Sequence, residues 1–283
     1  MPGTDAIPGE DGATFARTGA ILPELIAMLH AARSRAMGKN DAALSRAIKI
    51  VMNSFYGVLG TPGCRFCDAR LPTSNTRRGY AILSRACAFF VERGMPVIYG
   101  DTDSLFVHGD PERGKVLAAE MTELLTAEIR AEYSLESHLE LRFDAHYSRF
   151  LMPTTRGTER GSKKRYAGLA VKGDRTELVV RGLEAVRRDW TPLARRVQLE
   201  LLRRVFAERP FEEWLRSIAG DLAAGRLDEE LVYQKRSKGE VEEHAVTREH
   251  AAKQLGSVCD VVLPWLEPTT SFERIAGKQT SLF

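Results

Sequence analysis

The sequence predicts an α+β protein, and three observations predict it. Apolar residues recur at helical spacing through residues 21–59, about 75–93 and 111–133. Between the last two lies VIYGDTDSLFV (97–107), two strand-like runs around a Gly-Asp-Thr-Asp bend. Beyond these, the stretches 139–152 and 166–181 look like strands before a mostly helical part from 191 to 235. Helices and antiparallel strands in this order suggest helices packed on one face of a sheet.

The first 20 residues are rich in Gly, Pro and Thr without a period and read as an irregular segment. In LPELIAMLHAARSRA, Leu22, Leu25, Ile26 and Leu29 share a helical face, and Pro23 suits a first turn. Gly38, Asn40 and Asp41 supply the break and the next N-cap. ALSRAIKIVMNSFYG continues as a second helix, so residues 21–60 form a helical hairpin. TPGCRFCDARLPTS reads as a loop, followed by a helix with Ile82, Leu83, Ala86, Phe89 and Phe90 on one face. Gly94 and Pro96 end that helix.

Composition narrows the class. The 283 residues fit one large or two ordinary domains, and 43% apolar with 28% charged is the balance of a globular protein in water. No run of 18 apolar residues exists, and MPGTDAIPGEDGATF lacks a signal pattern, so a cytoplasmic location is expected. Cys64 and Cys67 form a lone CxxC without a second pair, which favours reduced thiols over a structural zinc. Net charge is +3, but residues 151–210 hold 15 Lys and Arg against 7 Asp and Glu. Such a block is either a solvated face or a surface for a polyanion.

Asp101 and Asp103 carry the sharpest chemical question. Carboxylates beside Val97, Ile98, Leu105 and Phe106 are costly if buried unless something compensates their charge. Metal ions would do so, because two divalent cations within about 4 Å can act on one phosphate and Mg²⁺ prefers oxygen ligands. Strand alternation would point Asp101 and Asp103 the same way. An ordinary solvated turn would also accommodate them. On the second helix, Lys49, Asn53 and Tyr56 fall at i, i+4 and i+7 on one face. A cation, an amide and a ring in one row could grip a triphosphate, a sugar or base edge, and a base pair; taken alone, a partly amphipathic helix with Lys49 in solvent accounts for the row better.

Four ordered segments resemble signatures of family B DNA polymerases. KIVMNSFYG matches the Lys-x-x-x-Asn-Ser-x-Tyr-Gly pattern, and YGDTDS follows 42 residues after its Tyr-Gly. GSKKRYAGL (161–169) resembles the element holding primer–template DNA, and RRDWTPLAR (187–195) the palm-to-thumb segment. The resemblance implies fingers at 21–60, a palm with its catalytic hairpin at 61–190, and a reduced, mainly helical thumb at 191–275. It makes Asp103 the main ligand and Asp101 the supporting one for two Mg²⁺ ions. Lys49 and Arg33 would meet the deoxynucleoside triphosphate, Asn53 would line its pocket, and Tyr56 would pack near the nascent base pair. Lys163, Lys164, Arg165 and Tyr166 would touch the DNA backbone. Gln279, Leu282 and Phe283, in the tail 276–283, resemble a sliding-clamp docking motif, where two apolar side chains fill a pocket.

The chain departs from the family pattern in one respect that bears on catalysis. The first signature, an Asp followed by Ser-Leu-Tyr-Pro-Ser, is not in the sequence, and Asp5 and Asp11 stand in a different context. Asp144 matches an auxiliary carboxylate only loosely. The N-terminal and exonuclease domains are expected to be absent, so the catalytic aspartate would come from a separate N-terminal polymerase chain. Without it, the chain would be a DNA- and clamp-binding fragment.

Overall fold

The computed structural model describes residues 6–154, 161–237 and 240–266. The chain divides into two units, Met1–Phe143 and Asp144–Phe283. The α+β class stands, but the strands of the described residues form four small antiparallel sheets rather than one. Among those residues, no helix is long and apolar enough to cross a membrane.

In the first unit, strands β1 (Ile7–Pro8) and β2 (Thr14–Phe15) pair where an irregular segment was expected. Long-range contact orders them: Glu10 N donates to Ser74 Oγ at 2.9 Å. Helices α1 (Ile21–Gly38) and α2 (Ala42–Leu59) pack together as the expected hairpin. The break is local chemistry, with Asn40 left-handed at φ +56° and the Asp41 carboxylate accepting from Leu44 N at 2.9 Å. Only Ala36 and Leu59 of these two helices are buried.

Helix α3 (Arg70–Glu92) begins five residues before the expected Asn75. Pro72 suggested a loop, but it lies in the first turn, where its missing N–H has no helical partner to lose. Asp68 accepts from Arg70 N at 3.0 Å, and the Arg70 guanidinium beside it holds its carboxyl down at about 2. Strands β3 (Val97–Asp101) and β4 (Ser104–Val107) form the expected hairpin. Helix α4 (Pro111–Tyr133) follows, capped by Asp110 accepting from Arg113 N at 2.7 Å. Phe89, Phe90, Met95, Leu117, Met121 and Leu125 make the core of this unit, and Val97, Leu105 and Val107 of the hairpin pack against it.

In the second unit, β5 (His146–Leu151), β6 (Tyr166–Lys172) and β7 (Arg175–Arg181) form one antiparallel sheet in that order. The strand expected from 139 starts only at His146. Leu141 is held in the first unit instead: its N–H donates to Thr122 Oγ1 at 3.0 Å and its side chain joins that unit's core. The stretch 166–181 is a hairpin turned at Gly173, φ +58°. Helices α5 (Pro192–Phe206), α6 (Glu212–Ala223) and α7 (Arg248–Asp260) enclose a core with Leu193, Leu201, Leu202, Leu215, Leu255 and Leu263 all fully buried. Thr191 caps α5 through Ala194 N and donates to Gln254 Oε1 of α7 at 2.6 Å. The helical expectation to 235 ends early, because β8 (Val232–Ser237) and β9 (Glu240–Ala245) form an antiparallel hairpin.

Candidate functional site

The β3–β4 hairpin presents Asp101 and Asp103 on a framework fixed from below. Tyr99 pairs with Phe106, their ring centroids 5.9 Å apart, and Gly100 pairs with Leu105. A Cβ on Gly100 would stand 3.0 Å from Leu105 Cδ2, so the strands close tightly just before the turn. Asp101 is the last residue of β3 and is half-buried, whereas Asp103 is exposed. The alternation argument fails here, because Asp101 pairs directly with Ser104 and leaves Thr102 and Asp103 as a two-residue turn. Thr102 is left-handed at φ +56°, as a tight hairpin turn requires, and Asp103 N donates to Asp101 O at 2.6 Å. Thr102 Oγ1 also donates to Asp101 Oδ1 at 3.1 Å. Burial is therefore not what holds Asp103 in place, and its charge faces water.

The two expected Mg²⁺ ions need several oxygen ligands held close together. Carboxylate oxygens are the right chemistry for a hard cation. Among the described residues, however, no group of three or more His, Cys, Asp or Glu side chains gathers to hold a metal. Two carboxylates, one of them in an open turn, do not by themselves fit a pair of divalent ions.

Lys49 and Asn53 are exposed on α2 and Tyr56 is half-buried there, so the row keeps the spacing read from sequence. Arg33 on α1 is half-buried, and its Nε is buried with no hydrogen-bond partner. Neither Arg33 nor Lys49 has an ion-pair partner among the described residues. A desolvated guanidinium nitrogen without an acceptor is costly, and an anionic ligand would satisfy it.

The Lys-Lys-Arg-Tyr element lies in the second unit. Lys163 and Lys164 are the two central residues of a turn that Arg165 N closes on Ser162 O at 3.4 Å. Both are exposed, and Lys164 is left-handed at φ +61°. The Arg165 guanidinium instead turns inward and pairs with Glu184, a residue only 7% exposed. Glu184 Oε2 also accepts from Gln198 Nε2 at 3.0 Å, and Gln198 is fully buried. Tyr166 packs on the sheet in a triad with Tyr147 and Phe150, at ring separations of 6.3 and 5.5 Å. Burial first, then Tyr166, pushes the Tyr147 hydroxyl up to about 12, so it stays protonated.

Much of the basic block is already neutralised. Lys172 pairs with Glu177, Arg187 with Asp189, Arg196 with Glu230 and Arg204 with Glu200. Lys163 and Lys164, exposed in a defined turn, are a more specific candidate polyanion contact than the block as a whole. Sequence reasoning missed Glu184 and Gln198, which stand among other charged residues in RGLEAVRRD and ARRVQLE and carry no local signal. Gln279, Leu282 and Phe283 lie outside the described residues.

An acidic hairpin tip, a helical hairpin bearing Arg33 and Lys49, and a two-lysine turn are all chemistries suited to phosphate groups. Residues 16–255 match the family model described as DNA polymerase family B, and the chain belongs to that family. It is 45% identical over 239 residues to DNA polymerase II of Escherichia coli, a match covering 82% of this chain and 30% of that protein. DNA polymerase 2 of Aeropyrum pernix is 34% identical over 65% of this chain and 20% of its own length. The DNA polymerase of Thermococcus gorgonarius is 32% identical over 61% of this chain and 21% of its own. The chain therefore spans less than a third of these relatives.

Proposed function

We propose that the chain serves as a polymerase-domain portion of a DNA-directed DNA polymerase that extends a primer on a template. The observation that carries this reading is the Asp101–Asp103 hairpin tip, presented by strands anchored on the core of a family B domain. In this reading residues 21–60 are fingers, 61–190 palm, 191–275 thumb and 276–283 a clamp-binding tail.

Lys163 and Lys164 hold the DNA backbone. Lys49 and Arg33 neutralise the triphosphate, Asn53 lines the nucleotide pocket, and Tyr56 packs against the nascent base pair. The primer 3′-hydroxyl attacks the α-phosphate in line and pyrophosphate departs. Positioning and charge neutralisation supply the rate in such transfers. Asp101 and Asp103 contribute part of a divalent-cation site, and a further carboxylate from outside the described residues, in the simplest arrangement on a separate N-terminal polymerase chain, completes it. Gln279, Leu282 and Phe283 dock the assembly on a bacterial sliding clamp.

A second reading, a DNA- and clamp-binding protein without catalysis, is favoured by one observation: no group of three metal-ligating side chains forms among the described residues. Primer extension with Mg²⁺ and four deoxynucleotides, run beside DNA binding on the same primer–template, separates the two. Template-dependent extension, by the chain alone or with an added polypeptide bearing the Asp and Ser-Leu-Tyr-Pro-Ser signature, supports the first. Binding without extension under both conditions supports the second. No DNA binding at low salt overturns both.

A further inference from the structure

Two lysines and one arginine of the Lys-Lys-Arg-Tyr element are cations of equal formal charge, yet the fold treats them differently. Lys163 and Lys164 occupy the tip of the turn and face water. Arg165 leaves the turn in the opposite sense and enters a polar network beneath it. Its guanidinium pairs with Glu184, Glu184 accepts from Gln198, and Gln198 Oε1 accepts from Ala185 N at 2.7 Å. Gln198 Nε2 also reaches Val258 O at 3.3 Å, which ties the network to α7. The polar groups of Gln198 are thus used at both ends, as a fully buried amide requires.

The backbone makes the same connection independently. Gly182 is left-handed at φ +61°, and a Cβ there would stand 2.2 Å from Lys164 O. The chain at Gly182 lies directly against the turn, and Glu184 follows two residues later. One short segment, Arg-Gly-Leu-Glu, therefore supports the turn by close backbone approach and by an ion pair.

We infer that Arg165 is a positioning residue, committed to Glu184, and that its role is to hold the Lys163–Lys164 turn in the shape that meets a nucleic-acid backbone. This rests on the DNA-binding reading above and assigns the phosphate contacts to the two lysines. Swinging the guanidinium out to a phosphate would leave the Glu184 carboxylate nearly buried with only an amide donor. Uncompensating a buried charge costs more than an exposed phosphate contact returns.

The test uses the purified chain, a fluorescent primer–template and affinities measured across a salt series. Lys163→Ala is expected to lower the slope of log K against log salt by about 0.9, the loss of one phosphate contact. Arg165→Gln and Glu184→Gln are each expected to weaken binding several-fold while the slope stays at the wild-type value. The double variant is expected to bind no more weakly than either single one, because both act through the same pair. A slope lowered by about 0.9 in Arg165→Gln, with Glu184→Gln at wild-type affinity, would make Arg165 a direct contact and overturn the inference. Amide exchange in the DNA-free chain gives a second readout. Glu184→Gln should speed exchange at residues 162–166 without lowering the melting temperature of the unit by a comparable amount; unchanged exchange there also overturns the inference. Wild-type protein that does not bind DNA would overturn the DNA reading, while the exchange result would still report on the anchor.

Discussion

Asp103 and Gly182 sit at the two ends of the relation between a residue and its fold. Asp103 is exposed in a two-residue turn, and its backbone, not its side chain, makes the bond to Asp101 that shapes the turn. Removing the carboxylate should leave stability within about 0.5 kcal/mol, since the side chain is exposed in the turn. Under the proposed function, Asp103→Ala should nevertheless abolish primer extension and leave DNA affinity nearly intact; equal extension by the variant would remove Asp103 from the chemistry. Gly182 is the reverse case, with no side chain and a backbone conformation only glycine adopts without strain. Gly182→Ala combines a left-handed alanine with a clash against Lys164 O, so a loss of more than about 1 kcal/mol is expected in urea unfolding. The same variant should weaken DNA binding through the displaced turn. A variant as stable as wild type would show that the turn can move away from Gly182.

Elements differ in how far the sequence specifies them. The β3–β4 hairpin was legible because Val, Ile, Tyr and Phe flank a four-residue polar bend, and the core of α3 and α4 selects the same pairing. The α1–α2 hairpin was legible through Asp41, a capping residue that the structure confirms. The start of α3 was not, because Pro72 reads as a breaker when its place within the turn is unknown. The β8–β9 hairpin was hidden because VYQKRSKGEVEEHA is mostly charged and polar and shows no apolar alternation. In the candidate site, the hairpin carboxylates and the lysines were found by local pattern. Glu184 and Gln198 were not, because their pairing joins residues 14 apart in sequence to a turn 19 residues upstream, contacts no local pattern encodes. The capping pair Thr191 and Gln254, 63 residues apart, is another such contact. Gln254→Leu strands the buried Thr191 hydroxyl without its acceptor and should cost about 1–3 kcal/mol. Thermal melting of the variant, with Gln254→Glu as a control that keeps an acceptor, measures it; equal stability of Gln254→Leu and wild type would deny the bond a structural role.

At the scale of the whole chain, the two units have unequal cores. Among the described residues, 24 buried side chains form the core of the second unit and 7 that of the first. Each fully buried aliphatic or aromatic side chain contributes on the order of 1.5–3 kcal/mol before chain entropy is subtracted, so the second unit has the larger reserve. The first unit also leaves large apolar residues in water, with Ile21 at 80% and Met28 at 69% exposure on α1. Burying so little of α1 and α2, it should unfold at lower denaturant than its neighbour. The sequence supplies a clean way to see this, because Trp190, Trp214 and Trp265 all lie in the second unit. Trp265 stands edge-on to Phe206 at 5.5 Å, while Trp190 and Trp214 pack against the core, so tryptophan fluorescence reports that unit. Far-ultraviolet circular dichroism reports both, through α1 to α4 as well as α5 to α7. In a urea titration the dichroism signal should begin to fall before the fluorescence shifts, and the two midpoints should separate. Coincident transitions would mean that the two units do not unfold independently and would overturn the expected order.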